Sequence, residues 1–266
     1  MFLRYAISLI FLLSFSSPCF ADDFVLNSFS TFGDSPAGTE DTCATDGLVL
    51  SWHMEDPDLA NEDGCSVVGD TTWAAFGSAT LSSTDKSEGT YSAYSVADSD
   101  YYIIEPTQNM PITEGTIIID IKLTAYADTK EIFAAQYDAN NRFAFLLVNG
   151  SGGGASVDIR AKYLTGGVAE LITADTNIDV SSGKWYRIKW QYKTAELGND
   201  HKIEVWELDT STPRVPTGAA IATTTEDDDI TVMAGAPTSI KIGTVDAASY
   251  TVWEDMFEWY NGSADL

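Results

Sequence analysis

The feature that most constrains this chain is a period-two alternation of apolar and polar side chains that returns in run after run along the sequence. Ile117, Ile119, Ile121 and Leu123 alternate with Ile118, Asp120 and Lys122, and Phe143, Phe145 and Leu147 with Arg142, Ala144 and Leu146. Val157, Ile159 and Ala161 alternate with Asp158, Arg160 and Lys162. Tyr186, Ile188, Trp190 and Tyr192 alternate with Arg187, Lys189, Gln191 and Lys193, and Ile203 and Val205 with Glu204 and Trp206. Successive side chains of a strand point to opposite faces, so each run has a buried and a solvated side. Turn-forming clusters separate the runs: residues 149–154 (Asn-Gly-Ser-Gly-Gly-Gly), Thr165-Gly166-Gly167, Ser181-Ser182-Gly183 and Gly198-Asn199-Asp200. No long amphipathic helix is evident. The pattern predicts an all-β chain folded as two packed antiparallel sheets.

Before the first run, Arg4 precedes an apolar stretch from Ile7 to Phe15 that is too short to span a bilayer and ends in small residues before Ala21. This reads as a secretory signal peptide over residues 1–21. The Cys19-Phe20-Ala21 ending lacks the small-residue-then-Cys pattern of a lipid anchor, and no later apolar run is long enough for a membrane span. The expected location is therefore secreted, periplasmic or cell-surface. Beyond the leader only Cys43 and Cys65 remain. An even pair in an oxidising compartment reads as one disulfide. A metal-binding pair is the weaker alternative, because no second Cys or nearby His completes a ligand set. Residues 22–46, rich in Ser, Thr, Gly and Asp, read as an extended N-terminal segment, and the organised domain as residues 47–266.

About 245 residues after the leader suit one large all-β domain. With 44% hydrophobic and 12% aromatic residues the chain can build a sizeable core despite a formal net charge of −26. That charge argues against nucleic acid as a partner and against anionic membrane surfaces, and it favours solubility outside the cell.

From Gly47 onward a series of segments carries a resemblance. Residues 47–56 (Gly-Leu-Val-Leu-Ser-Trp-His-Met-Glu-Asp) form an apolar strand ending in an acidic pair. Residues 99–104 (Ser-Asp-Tyr-Tyr-Ile-Ile) and 114–121 (Glu-Gly-Thr-Ile-Ile-Ile-Asp-Ile) follow. Next come Gly183-Lys184-Trp185-Tyr186-Arg187-Ile188, Lys202-Ile203-Glu204-Val205-Trp206, and a closing segment from Trp253 to Asn261. In order and spacing these resemble the concanavalin A-like lectin/glucanase superfamily, in particular its laminin G-like and pentraxin-like jelly-roll domains. The resemblance implies a two-sheet antiparallel jelly-roll sandwich. It is weak for the ligand, since this architecture hosts lectins, adhesion modules, glycosidases and lyases.

Catalytic readings find little support. A retaining glycosidase on this fold needs two carboxylates about 5 Å apart on one cleft-facing strand. Glu254, Asp255 and Glu258 are the comparable cluster, but Asp255 directly follows Glu254, which puts the two on opposite faces of a strand. A polysaccharide lyase needs Arg, Gln or Asn, His and Tyr gathered together. Only His53, in the opening strand, and His201, in a Gly-Asn-Asp turn, are on offer, and both read as surface or edge histidines. There is no Gly-x-Ser-x-Gly elbow and no Gly-rich phosphate loop opening a helix.

The basic residues are unevenly spread. Ten of the 13 Lys and Arg that follow the leader fall between Lys122 and Lys202. If their strands share a sheet, Lys122, Lys162, Arg160, Arg187 and Lys189 line one outer face beside Trp206. An exposed Trp flanked by cations suits a sugar ring with carboxylate or sulfate groups, so an acidic polysaccharide or other glycan is the expected partner. Two duller readings stay open: cross-strand ion pairs with Asp120, Asp158 and Glu204, and a loop covering Trp206. The superfamily resemblance also implies a structural Ca²⁺ between opening and closing strands, which would draw on Glu55, Asp56 and Asp255. The sequence reads as a secreted, non-catalytic carbohydrate-binding or adhesive module. The alternatives are a polysaccharide lyase or glycosidase on the same fold and a protein-binding structural module.

Overall fold

The computed structural model describes residues 47–54, 73–97, 99–106, 110–125, 129–150, 156–194, 200–211, 213–226, 231–246 and 250–262. Cys43 and Cys65, Glu55 and Asp56, and residues 1–46 lie outside them. The described residues hold fifteen strands and one short 3-10 turn at Val180–Ser182. The strands are β1 (Leu48–Trp52), β2 (Ala74–Phe76), β3 (Thr80–Ser82), β4 (Ser92–Ser95), β5 (Tyr101–Ile104), β6 (Glu114–Ala125), β7 (Lys130–Asp138) and β8 (Asn141–Asn149). They continue with β9 (Ser156–Thr165), β10 (Val168–Asp179), β11 (Trp185–Lys193), β12 (His201–Glu207), β13 (Ala222–Glu226), β14 (Ser239–Gly243) and β15 (Thr251–Asn261).

Two antiparallel sheets result, as the alternation predicts. One is eight-stranded, in the order β13-β12-β11-β6-β15-β4-β3, with β1 also paired to β15. The other is seven-stranded, in the order β10-β9-β8-β7-β14-β5-β2. The residues assigned to the inner phase pack between them: Ile117, Ile119, Ile121, Phe143, Phe145, Ile159, Ile188, Trp190, Ile203 and Val205 are all fully buried. The middle of the core is a run of rings. Phe143 of the seven-stranded sheet lies 4.7 Å from Tyr192, 5.3 Å from Trp259 and 5.7 Å from Trp190, all of the opposing sheet. Edge-to-face and tilted pairs of this kind add about 0.5–1.5 kcal/mol each beyond the area they bury.

The closing strand β15 sits inside its sheet. On one side it pairs along most of its length with β6; on the other it pairs first with β4 (Val252 to Glu254) and then with β1 (Phe257 to Tyr260). Between those stretches it carries a bulge: Asp255 pairs with Asp120 and Glu258 with Ile118, so three steps on β15 match two on β6. Met256 takes up the extra residue at φ 44°. An extra residue shifts the alternation by one. Val252 and Glu254 are therefore inward before the bulge, Phe257 and Trp259 after it, and Asp255 and Glu258 fall on the same outer face.

Candidate functional site

Strand register sorts the six cation-and-tryptophan residues predicted to share a face, and it divides them. Trp206, Arg187 and Asp120 are successive cross-strand partners on β12, β11 and β6, with Asp255 next on β15. Lys189 lies beside them on β11 and Lys122 on β6. Arg160 and Lys162 stand on β9, in the other sheet. The single patch is thus corrected to two groups on opposite outer faces of the sandwich. The alternation gave the phase of each strand correctly, but it carries no information on which strands share a sheet.

On the eight-stranded sheet the cations are engaged. Arg187 donates Nε to Asp120 Oδ1 at 2.7 Å and a terminal nitrogen to Oδ2 at 2.9 Å. Both side chains are buried, and although burial disfavours the guanidinium charge, the Asp120 carboxylate more than offsets it and holds Arg187 further in its charged form. Lys122 pairs with Asp85 and lies 5.3 Å from the centre of the Trp253 ring. Lys189 reaches Glu204 at 3.9 Å. Trp206 points outward, as its phase requires, but is only half-exposed. Residues 83–90 lie over this face: Asp85 also accepts from the Trp185 indole, and the Ser87 and Glu88 N–H groups donate to Asp255 Oδ2 at 2.8 and 3.1 Å. Arg214 fastens the same loop from outside, through Lys86 O and Ser87 O.

His53 sits at the margin of this covered face, 2.7 Å from Glu88 and 3.3 Å from Glu258. Partial burial opposes its charge, but the two carboxylates outweigh that and hold its pKa well above the ordinary imidazole value. It is an ion-paired histidine and not the plain edge residue expected. His201 is also corrected: it begins β12 fully buried in the core, where its Nδ1 accepts from the Trp190 indole at 3.0 Å. Burial lowers its pKa to about 4, so it is neutral at physiological pH.

The carboxylates of β15 are equally committed. Glu254 faces the core, as the adjacent-residue argument predicts, and burial raises its pKa well above the usual range. Asp255 uses Oδ2 for two amides and Oδ1 for the Met256 N–H. Of the three residues the resemblance assigns to a Ca²⁺ site, Glu55 and Asp56 lie outside the described residues. Among the described residues no group of three or more His, Cys, Asp and Glu could hold a metal ion.

The seven-stranded sheet is different. A single cross-strand row runs Leu171, Lys162, Ala144, Ala134, Lys241, Ile103 and Ala74 over β10, β9, β8, β7, β14, β5 and β2. The neighbouring row holds Arg160, Leu146 and Glu131. Glu131 is buried, 2.7 Å from Arg142 and 3.9 Å from Lys162. Burial and the neighbouring Asp246 raise its pKa, while Arg142, Lys162 and Lys241 oppose the shift. Arg160 donates to Thr173 Oγ1 at 2.8 Å and makes no carboxylate pair among the described residues. Arg142 stands in the outward phase of its run and could have been grouped with Lys162; Lys241 lies on β14, a strand the alternation does not announce.

No protein-family model matches the chain, and no curated protein matches it in sequence. Solved structures do match. The binding domain of botulinum neurotoxin serotype D is 12% identical, with a TM-score of 0.56 over 82% of this chain and 49% of that one. The binding domain of botulinum neurotoxin DC in complex with SialylT is 10% identical, with a TM-score of 0.57 over 82% and 48%. The binding domain of Paraclostridial Mosquitocidal Protein 1 is 11% identical, with a TM-score of 0.56 over 82% and 49%. The chain shares their β-sandwich fold. It spans about half the length of these structures, and among its described residues no helix is long and apolar enough to cross a membrane.

Proposed function

We propose that this chain is a non-catalytic glycan-binding module of the concanavalin A-like, laminin G-like kind, acting outside the cytosol, and that its binding face is the outer surface of the seven-stranded sheet. The observation that carries this reading is the distribution of neutralisation. On the eight-stranded sheet Lys122, Arg187 and Lys189 each meet a carboxylate of their own, whereas on the seven-stranded sheet Arg142, Lys162 and Lys241 share Glu131 and the neighbouring Asp246, and Arg160 makes no carboxylate pair among the described residues. A positive surface on a chain of net charge −26 suits an anionic ligand. Anionic polysaccharide is the class proposed, and a fold neighbour solved with SialylT supports it. The engagement of Asp120, Asp255 and Glu258 with protein partners supports binding over glycoside hydrolysis.

A glycan array with sialylated, sulfated, uronate-containing and neutral glycans tests the reading. Anionic glycans are expected to bind and neutral ones not to, with affinity falling as salt is raised from 50 to about 300 mM. Replacing both Arg160 and Lys162 by Ala is expected to lower that affinity at least tenfold in a variant that still unfolds cooperatively. Equal binding of neutral glycans, or an unaffected double variant, would refute this reading.

A further inference from the structure

At the far end of the same sheet stands an aromatic that nothing in the alternation singles out. Phe76, on the edge strand β2, is 52% exposed, the largest exposed apolar ring among the described residues. Its ring stacks on the buried Tyr101 ring of β5, centroids 4.8 Å apart and planes 9° from parallel. Lys241 holds its ammonium 4.7 Å from the Tyr101 centroid. The platform is rigidly mounted. Phe76 pairs with Tyr101 in the ladder, and the next residue, Gly77, turns at φ 71° against the Asp100 side chain, where any Cβ would collide with the carboxylate. Asp100 in turn accepts from the N–H groups of Ser78 and Ala97 and is itself buried.

An exposed, preorganised flat ring beside a cation matches a sugar ring, which presents an apolar C–H face and, in an acidic glycan, a carboxylate or sulfate at its edge. Between Lys241 and Lys162 the row holds Ala134 and Ala144, both buried, so the continuity of the site is carried by the reach of the two lysines and not by an open floor. From β2 to β9 there are five strand spacings, roughly 24 Å at ~4.8 Å each, enough for several saccharide units. We propose that Phe76, stacked on Tyr101 and flanked by Lys241, is the terminal subsite of an extended anionic-glycan site that continues through Lys162 and Arg160. Glycan binding by this face is the reading on which the subsite rests.

The test uses calorimetry with a heparin-derived hexasaccharide and with sialyllactose on the wild type, Phe76→Leu, Phe76→Ala, Lys241→Met and the Arg160→Ala/Lys162→Ala double variant, each checked for its unfolding temperature. Phe76→Leu keeps apolar bulk but loses the flat ring, and is expected to weaken binding of the hexasaccharide about three- to tenfold. Lys241→Met is expected to weaken it and to flatten its salt dependence. Titration of the wild type should shift the backbone amide signals of residues 74–76 and 101–103. Wild-type affinity in both Phe76 variants overturns the subsite alone when the double variant still loses binding. Loss in the Phe76 variants with an unaffected double variant keeps the subsite and overturns the cation rows. A wild type that binds neither saccharide overturns both.

Discussion

Arg187 and Glu254 show how differently a buried charge behaves with and without a partner. The Arg187 guanidinium is matched fork to fork with Asp120, and its terminal nitrogen also lies 2.9 Å from Met256 Sδ. Arg187→Met leaves Asp120 buried without its cation, and is expected to destabilise by about 3–5 kcal/mol at neutral pH. The deficit should shrink in acid, where that carboxyl can be protonated; an equal loss at pH 4 and pH 8 in thermal unfolding would contradict this account. Glu254 meets no cation among the described residues, and burial raises its pKa while the nearby Gly243 N–H only partly opposes the shift. A group whose folded pKa lies above its unfolded one favours folding fully only below the unfolded value, near 4.5, and that contribution is lost as pH rises through the folded value. Glu254→Gln removes the titration. The variant's unfolding temperature is expected to gain on the wild type's steadily from pH 4 to pH 8, and parallel curves would contradict the assignment.

At the scale of elements, residues 83–90 form a strap held at three kinds of contact: Asp85 on Trp185 and Lys122, two amides on Asp255, and Glu88 on His53, with Arg214 behind. His53 is the imidazole of that set, facing Glu88 and Glu258. Its raised pKa means that its stabilisation is complete below about pH 6.5 and is lost as pH rises through the folded value. Hydrogen exchange at the amides of residues 85–90, corrected for intrinsic rates, is expected to become less protected between pH 6 and pH 9, and His53→Ala to remove that dependence. Elements also mark what was legible beforehand. β6, β8, β9, β11 and β12 were readable because each buries one face and solvates the other. β10 was not, since the polar Thr176 interrupts its inward series of Ile172, Ala174 and Ile178. The bulge at Met256 was hidden too. Asp-Met-Phe-Glu reads as alternating faces until an extra residue is assigned, and that residue is what brings Asp255 and Glu258 together. The candidate site was legible in residue type and phase, but sheet membership is set by non-local pairing that no local pattern encodes.

For the whole molecule the decisive fact is that β15 lies in the interior of its sheet, hydrogen-bonded to β6, β4 and β1, and supplies Val252, Phe257 and Trp259 to the core. Removing residues 251–266 should therefore abolish the cooperative unfolding transition and expose indoles to solvent, not merely shorten the domain. A truncated chain that still unfolds cooperatively with buried tryptophan fluorescence would show that the remaining strands suffice. Pairings of this range are also slow to form, with folding expected over milliseconds to seconds. Ribosomes release roughly 5–20 residues each second. The strands from Leu48 onward must then wait on the order of ten seconds or more for their central neighbour to be synthesised. During that interval β6 and β1 present unpaired edges and naked apolar faces to whatever surrounds them, which is the surface on which unfinished chains pair with one another.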